Sequence, residues 1–134
     1  YINPHIPIPG MATAVNGITD TDVINAPDIS DVLPEIEKMI RGVPVVGHNV
    51  TFDLKFLKKA YEHTDRNLNV EYFDTLSFSR SIFRKDIDVP NHKLETLTKY
   101  LGIEHKPHDP ISDAKATSEL FCKCFNRYYW GVKN

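Results

Sequence analysis

The chain has 134 residues, 41% of them apolar and 25% charged, which suits one soluble globular domain of ordinary size. A net charge of −2 lays down no basic footprint, so bulk charge does not announce a nucleic-acid partner; a carboxylate site filled by divalent cations would supply positive charge that composition does not show. No apolar run approaches the roughly 18 residues of a membrane span, and no membrane partner is expected.

The first stretch of chain is rich in Pro, Asn, Asp and Thr. Pro4, Pro7, Pro9 and Pro27 forbid a long helix there, so extended or looping chain is predicted. Ser30 or Asp31 can cap a helix running to about residue 41, with Val32, Leu33, Ile36, Met39 and Ile40 on one face and Gly42 as its stop. Pro34 is tolerable in its first turn. Residues 43–46 are all apolar, the pattern of a strand covered on both faces. Asn49 or Thr51 then caps a helix with Phe52, Phe56, Leu57 and Ala60 on its apolar face and Lys55, Lys58 and Lys59 toward water.

Residues 70–73 read as a second strand, and Asp74 can cap a short helix over residues 75–83. A polar loop over residues 84–91 follows. Leu94, Leu97 and Leu101 space another helix, closed by Gly102. A loop over residues 104–111 leads to Ser112, read as the cap of a last helix that buries Ala114, Phe121, Phe125 and Tyr128.

Alternating strands and helices predict an α/β fold with a parallel sheet, whose ligand groups gather at the carboxyl ends of the strands. Cys122 and Cys124 are too close for an easy disulfide, and no second pair at zinc-knuckle spacing exists. Core or half-buried thiols in a reducing compartment, the cytoplasm, are expected. The chain begins Tyr1-Ile2-Asn3-Pro4 without Met, and it is expected to be part of something longer.

Asp53 and Asp113 each fall in the first turn of a predicted helix, where the dipole favours the ionised form by roughly 0.3–1 kcal/mol. An ionised carboxylate is what a hard cation such as Mg²⁺ or Mn²⁺ requires. Taken singly, either acid is more simply read as a solvated helix start. His108, on a loop stiffened by Pro107 and Pro110, could take a proton from water beside a metal, although composition alone makes it one exposed histidine among several.

In order along the chain, His48-Asn49-Val50-Thr51-Phe52-Asp53 resembles the HNxxFD motif of the DEDDh 3′–5′ exonucleases, and His108-Asp109-Pro110-Ile111-Ser112-Asp113-Ala114 resembles their H-x4-D-A motif. That family includes the epsilon proofreading subunit of bacterial DNA polymerase III. The stretches Val15-Asn16-Gly17-Ile18-Thr19-Asp20, Asp74-Thr75 and His92-Lys93-Leu94 are similar to its connecting segments, so the resemblance covers nearly the whole chain.

The resemblance implies a ribonuclease H-like exonuclease domain over residues 1–134, hydrolysing terminal phosphodiester bonds of DNA in proofreading or trimming. It implies Asp53 and Asp113 as catalytic metal ligands, His108 as general base, and two Mg²⁺ or Mn²⁺ ions roughly 3.5–4 Å apart in a complete site. Asn16, Gly17 and Ile18 would line the pocket for the last nucleotide, although the family often has His where this chain has Asn16. His48, Asn49 and Phe52 would shape the cleft. The implied partners are single-stranded DNA or a DNA 3′ end, with RNA as the alternative, and a replicative DNA polymerase.

The family's first acidic motif, D-x-E on a central strand, has no match. Asp20-Thr21-Asp22 and Asp86-Ile87-Asp88 lie in polar segments and Glu35-Ile36-Glu37 is mid-helix. The N-terminal strands are therefore expected to be missing from this chain, which leaves room for a non-catalytic fragment that binds nucleic acid or a polymerase. Lys115 and the three lysines of the predicted second helix could touch phosphate but read more simply as solvated. Tyr128, Tyr129 and Trp130 could stack bases, or could be core or partner contacts.

Overall fold

A computed structural model describes residues 1–64, 68–84 and 86–131. In chain order the elements are α1 (Gly10–Asn16), α2 (Asp20–Val23), α3 (Ile29–Ile40), β1 (Val45–Gly47), α4 (Val50–Glu62), β2 (Tyr72–Asp74), α5 (Thr75–Ile82), α6 (Leu94–Leu101) and α7 (Pro110–Trp130). They fall into two compact units: Tyr1–Val43 with Leu54–Val70, and Pro44–Asp53 with Glu71–Asn134.

In the first unit, the stretch expected to be extended carries the short helices α1 and α2. Every proline of that stretch lies before Gly10 or after Val23, so residues 10–23 are free to turn. Gly17, at φ 73°, ends α1 with its N–H on the Thr13 carbonyl. Asp22 accepts from both the backbone N–H and the hydroxyl of Thr19, at 2.8 and 2.6 Å, which closes α2 as a single turn. Asn3 donates from its backbone N–H to the Pro27 carbonyl and from Nδ2 to the Ile24 carbonyl, tying the N-terminal residues down. The cap of α3 is Asp28, upstream of the expected Ser30 or Asp31; its carboxylate accepts from Ser30 N–H at 3.1 Å and also meets His5 Nε2 at 2.7 Å. Leu33 anchors α3, whereas Met39 is exposed.

In the second unit, β1 and β2 pair in parallel, Val45 with Tyr72, Val46 with Phe73 and Gly47 with Asp74. The first strand was expected to be covered on both faces, but Val46 is 38% exposed; on the second, Tyr72 is 52% exposed. An all-apolar run records what a strand could bury, not what is present to cover it. Phe73 meets Phe78 and Phe121 edge-on, with ring centroids 5.0 Å apart in both pairs.

Helices α5, α6 and α7 enclose a core of Phe83, Val89, Leu97, Leu101, Ile103, Ala116, Leu120 and Cys124. Burial pushes the Cys124 thiol up to about 11, so it packs as a neutral apolar group, while Cys122 is exposed. Lys85, within the polar loop expected over residues 84–91, lies outside the described residues. Arg127 closes that loop with an ion pair to Asp86 at 2.8 Å and lies over the Phe83 ring.

Two helix faces differ from expectation. The buried stripe of α7 is Ala116, Thr117, Leu120 and Cys124, whereas Ala114, Phe125 and Tyr128 are exposed. On α4, Val50 and Tyr61 are buried while Phe52 and Phe56 are more than half exposed. On α7 the large aromatics Phe125 and Tyr128 lie beside the buried stripe, while on α4 Tyr61 is on it and Phe52 and Phe56 are not.

One carboxylate joins both strand ends. Asp74 Oδ1 accepts from Asn49 N–H at 2.8 Å and Leu76 N–H at 3.2 Å, and Oδ2 accepts from the Ser77 hydroxyl at 2.9 Å. Partial burial pushes the Asp74 carboxyl up, but these bonds and one from Val50 N–H outweigh it and hold it below its ordinary value of 3.8.

Replacing Leu120 with Ala should lower unfolding free energy by about 3 kcal/mol, whereas Phe125→Ala should cost under about 1 kcal/mol. Equal losses in urea titrations would reverse this assignment of the α7 face. A carboxyl whose folded pKa is depressed contributes its full stability above the unfolded value and loses it as pH falls through the folded one. Asp74→Asn should therefore cost about 1–2 kcal/mol at neutral pH, and the gap from the parent should narrow once pH drops below 3.8. A gap that stays constant down to acid pH would rule out that linkage.

Candidate nuclease site

The two acids singled out by sequence stand on similar platforms. Asp53 lies in the first turn of α4, behind a turn at His48 and Asn49; Asp113 lies in the first turn of α7, behind a turn at Pro107 and His108. Each turn contains a left-handed residue, Asn49 at φ 64° and His108 at φ 66°. This conformation is uncommon for residues with a Cβ and is most accessible to Asn, Asp and His. Gly47 is required for a separate reason. A Cβ there would come 2.7 Å from the Val50 Cβ, so only glycine lets β1 turn so tightly into α4.

The α7 platform begins earlier than expected. Asp109, not Ser112, is the cap: its Oδ1 accepts from Ser112 N–H at 2.9 Å. Pro110 takes the first helical position, where its missing N–H costs nothing. The Ser112 hydroxyl instead accepts from Lys106 N–H at 2.7 Å and closes the loop. His108 is exposed at the surface of this turn.

His48 is held on both sides of its ring. Nε2 lies 2.9 Å from the His92 carbonyl and Nδ1 2.9 Å from the Thr75 hydroxyl. A carbonyl only accepts, so Nε2 carries the proton; burial, its largest influence, pushes the ring below its ordinary value and keeps it neutral. Its nitrogens are thus engaged in holding the turn. Asn49 is exposed and Phe52 is 57% exposed.

His48, Asn49, Phe52, Asp53, His108 and Asp113 all belong to the second unit, and Asn16, Gly17 and Ile18 to the first. There, Asn16 Oδ1 accepts from Ile18 N–H at 2.9 Å and the Thr13 hydroxyl donates to the Ile18 carbonyl at 2.7 Å, so the turn is self-supporting. Lys55, Lys58, Lys59 and Lys115 are exposed. So are Tyr128, Tyr129 and Trp130, although the Tyr128 ring meets Phe78 and the Tyr129 ring meets Phe125.

Sequence reasoning passed over His105. Its side chain is 5% exposed, and its Nε2 meets Asp113 Oδ1 at 2.6 Å. No sequence periodicity links His105 to Asp113, since the loop between them must close first.

Asp53 and Asp113 offer hard oxygen donors of the kind Mg²⁺ and Mn²⁺ prefer. Among the described residues no group of three or more His, Cys, Asp or Glu could hold a metal. Mg²⁺ commonly takes one or two carboxylates and completes its shell with water and substrate phosphate, so the pair fits in kind. The other acidic segments are committed elsewhere: Asp20 to Ile8 N–H, Asp22 to Thr19 and Asp86 to Arg127.

Comparison with known proteins shows the family and the fold. The profile of the Exonuclease family (RNase_T) matches residues 1–121. A DNA polymerase III PolC-type protein of Caldanaerobacter subterraneus subsp. tengcongensis is 34% identical over 128 residues, covering 95% of this chain and 9% of the relative. A DNA polymerase III subunit epsilon-like protein of Rhodobacter capsulatus is 36% identical over 125 residues, covering 91% of this chain and 17% of the relative. The chain thus spans less than a fifth of the length of either relative. Among solved structures, exonuclease X in complex with 5′ overhanging duplex DNA superposes with a TM-score of 0.65 at 23% identity, over 93% of this chain and 70% of that one. The fold is the ribonuclease H-like exonuclease fold, and the chain belongs to the Exonuclease (RNase_T) family.

Proposed function

We propose that residues 1–134 form one exonuclease domain that removes nucleotides from DNA 3′ ends with the help of divalent metal, in proofreading or trimming. The observation that carries this reading is the pair of matched platforms. Each presents an aspartate in the first turn of a helix, and one adds the exposed His108 on the turn just before Asp113.

The chemistry follows from what each group can do. Asp53 and Asp113, each in the first turn of its helix, would hold Mg²⁺ or Mn²⁺ through carboxylate oxygens. Bound there, divalent ions would polarise the terminal phosphodiester and stabilise charge on the leaving oxygen. His108 takes the proton from the attacking water, and its stiff, exposed turn lets it reach that water without burying the ring. The product is a nucleoside monophosphate. Asn16, Gly17 and Ile18 are assigned to the terminal nucleotide, and Phe52 offers an exposed ring for a sugar or base. Because His48 has both ring nitrogens in use, its role in shaping the cleft is to hold the turn.

DNA is favoured over RNA by the polymerase relatives, and a replicative polymerase is the partner they suggest. No described helix is long and apolar enough to cross a membrane. A cytoplasmic setting fits such relatives.

Asp113→Asn, made in the longest natural form of the protein, should abolish Mn²⁺-dependent release of mononucleotides from a single-stranded oligonucleotide. Survival of that release would overturn the site assignment. His108→Ala should lower turnover by about 10²–10⁴-fold while leaving Mn²⁺ affinity unchanged. A turnover within a few-fold of the parent would remove His108 from the chemistry. If the parent itself degrades no 3′ end, the non-catalytic binding reading takes its place.

A further inference from the structure

We propose that His105 is a positioning residue that fixes Asp113 for the divalent ion, an inference that rests on the reading of Asp113 as a metal ligand. His105 stands outside both motifs, in the loop between α6 and α7, and its side chain is 5% exposed. Its two ring nitrogens reach different elements. Nε2 meets Asp113 Oδ1 at 2.6 Å, and Nδ1 meets Thr98 Oγ1, on α6, at 3.1 Å.

The carboxylate can only accept, so Nε2 carries a proton and donates it to Asp113. On the other side of the ring, the Thr98 hydroxyl that faces Nδ1 also donates to the Glu95 carbonyl at 3.0 Å, which fixes that oxygen in place. Thr98 is itself buried, at 2% exposed, so the line Thr98–His105–Asp113 runs from the core to the site.

This geometry does two things. It removes rotamer freedom from Asp113, whose side chain is 37% exposed and would otherwise sample several positions. It also engages one carboxylate oxygen, Oδ1, and leaves Oδ2 for a cation. A partner of this kind, bonded to a ligand rather than to the metal, commonly changes metal affinity by about 10–100-fold.

The test is Mn²⁺ affinity of the full-length protein, read from the electron paramagnetic resonance of free Mn²⁺, beside the melting temperature. His105→Gln can place an N–H where Nε2 stands, and should keep affinity within a few-fold of the parent. His105→Asn reaches Thr98 but not Asp113, and should weaken Mn²⁺ binding by about 10–100-fold. A residue that merely packs the loop would not separate the two variants in this way. Both are polar and of similar size to the parent, which guards against loss of fold. Equal Mn²⁺ affinity in both variants, with only melting temperature altered, would overturn the proposal. Asp113→Asn is measured alongside. If it binds Mn²⁺ as well as the parent does, the metal-ligand reading itself has failed and this inference falls with it.

Discussion

Asp74 satisfies more backbone than its own position demands. It ends β2 and caps α5 through Leu76 N–H, but it also accepts from Asn49 N–H, across the parallel pair in which Gly47 faces Asp74. Two chain reversals are thereby tied to one carboxylate. Without it, Asn49 would have little reason to stay at a left-handed φ, and the N–H groups at the start of α4 would need other partners. Gly47 makes the approach sterically possible, and the neutral His48 ring, bridging Thr75 and the His92 carbonyl, closes the turn from its other side.

Chemistry is built outward from that constraint. A turn held so firmly delivers Asp53 at a fixed place in the first turn of α4, just past the carboxyl end of β1, where parallel sheets gather their ligand groups. The second acid is delivered differently. No strand precedes α7, so Asp109 caps the helix, Pro110 sets its first φ and Ser112 closes the loop onto Lys106. Asp113 is then braced by His105 rather than by the turn alone. The α7 helix also packs against β1 and against both α5 and α6, so the mount of the second acid is rooted in the same core that supports the first.

Much of this was legible in the sequence where the cause is local. Asp74 as a cap, Leu94, Leu97 and Leu101 with Gly102 as a complete helix, and the strand-helix alternation all depend on residues within one or two turns of each other. Caps were misplaced where two candidates competed: Asp28 displaced Ser30, and Asp109 displaced Ser112 once Pro110 was admitted as the first helical residue. The buried face of α7 was misread because its aromatics repeat at nearly the same spacing as its small and aliphatic residues. Periodicity finds the helix; the volume available between α5 and α6 chooses the stripe. Thr98, His105 and Asp113 could not be joined by any spacing rule, because their contacts depend on how the α6–α7 loop closes. The family was legible because its two motifs specify residue types at short fixed spacings, which can be read without knowledge of the packing.

The most direct measurement is paramagnetic broadening of amide signals by substoichiometric Mn²⁺ in the ¹⁵N-labelled full-length protein. If the two helix starts share a divalent-ion site, the amides of residues 49–53 and 109–113 broaden together while those of α3 stay sharp. Broadening at only one of the two segments, or centred elsewhere, would contradict a shared site.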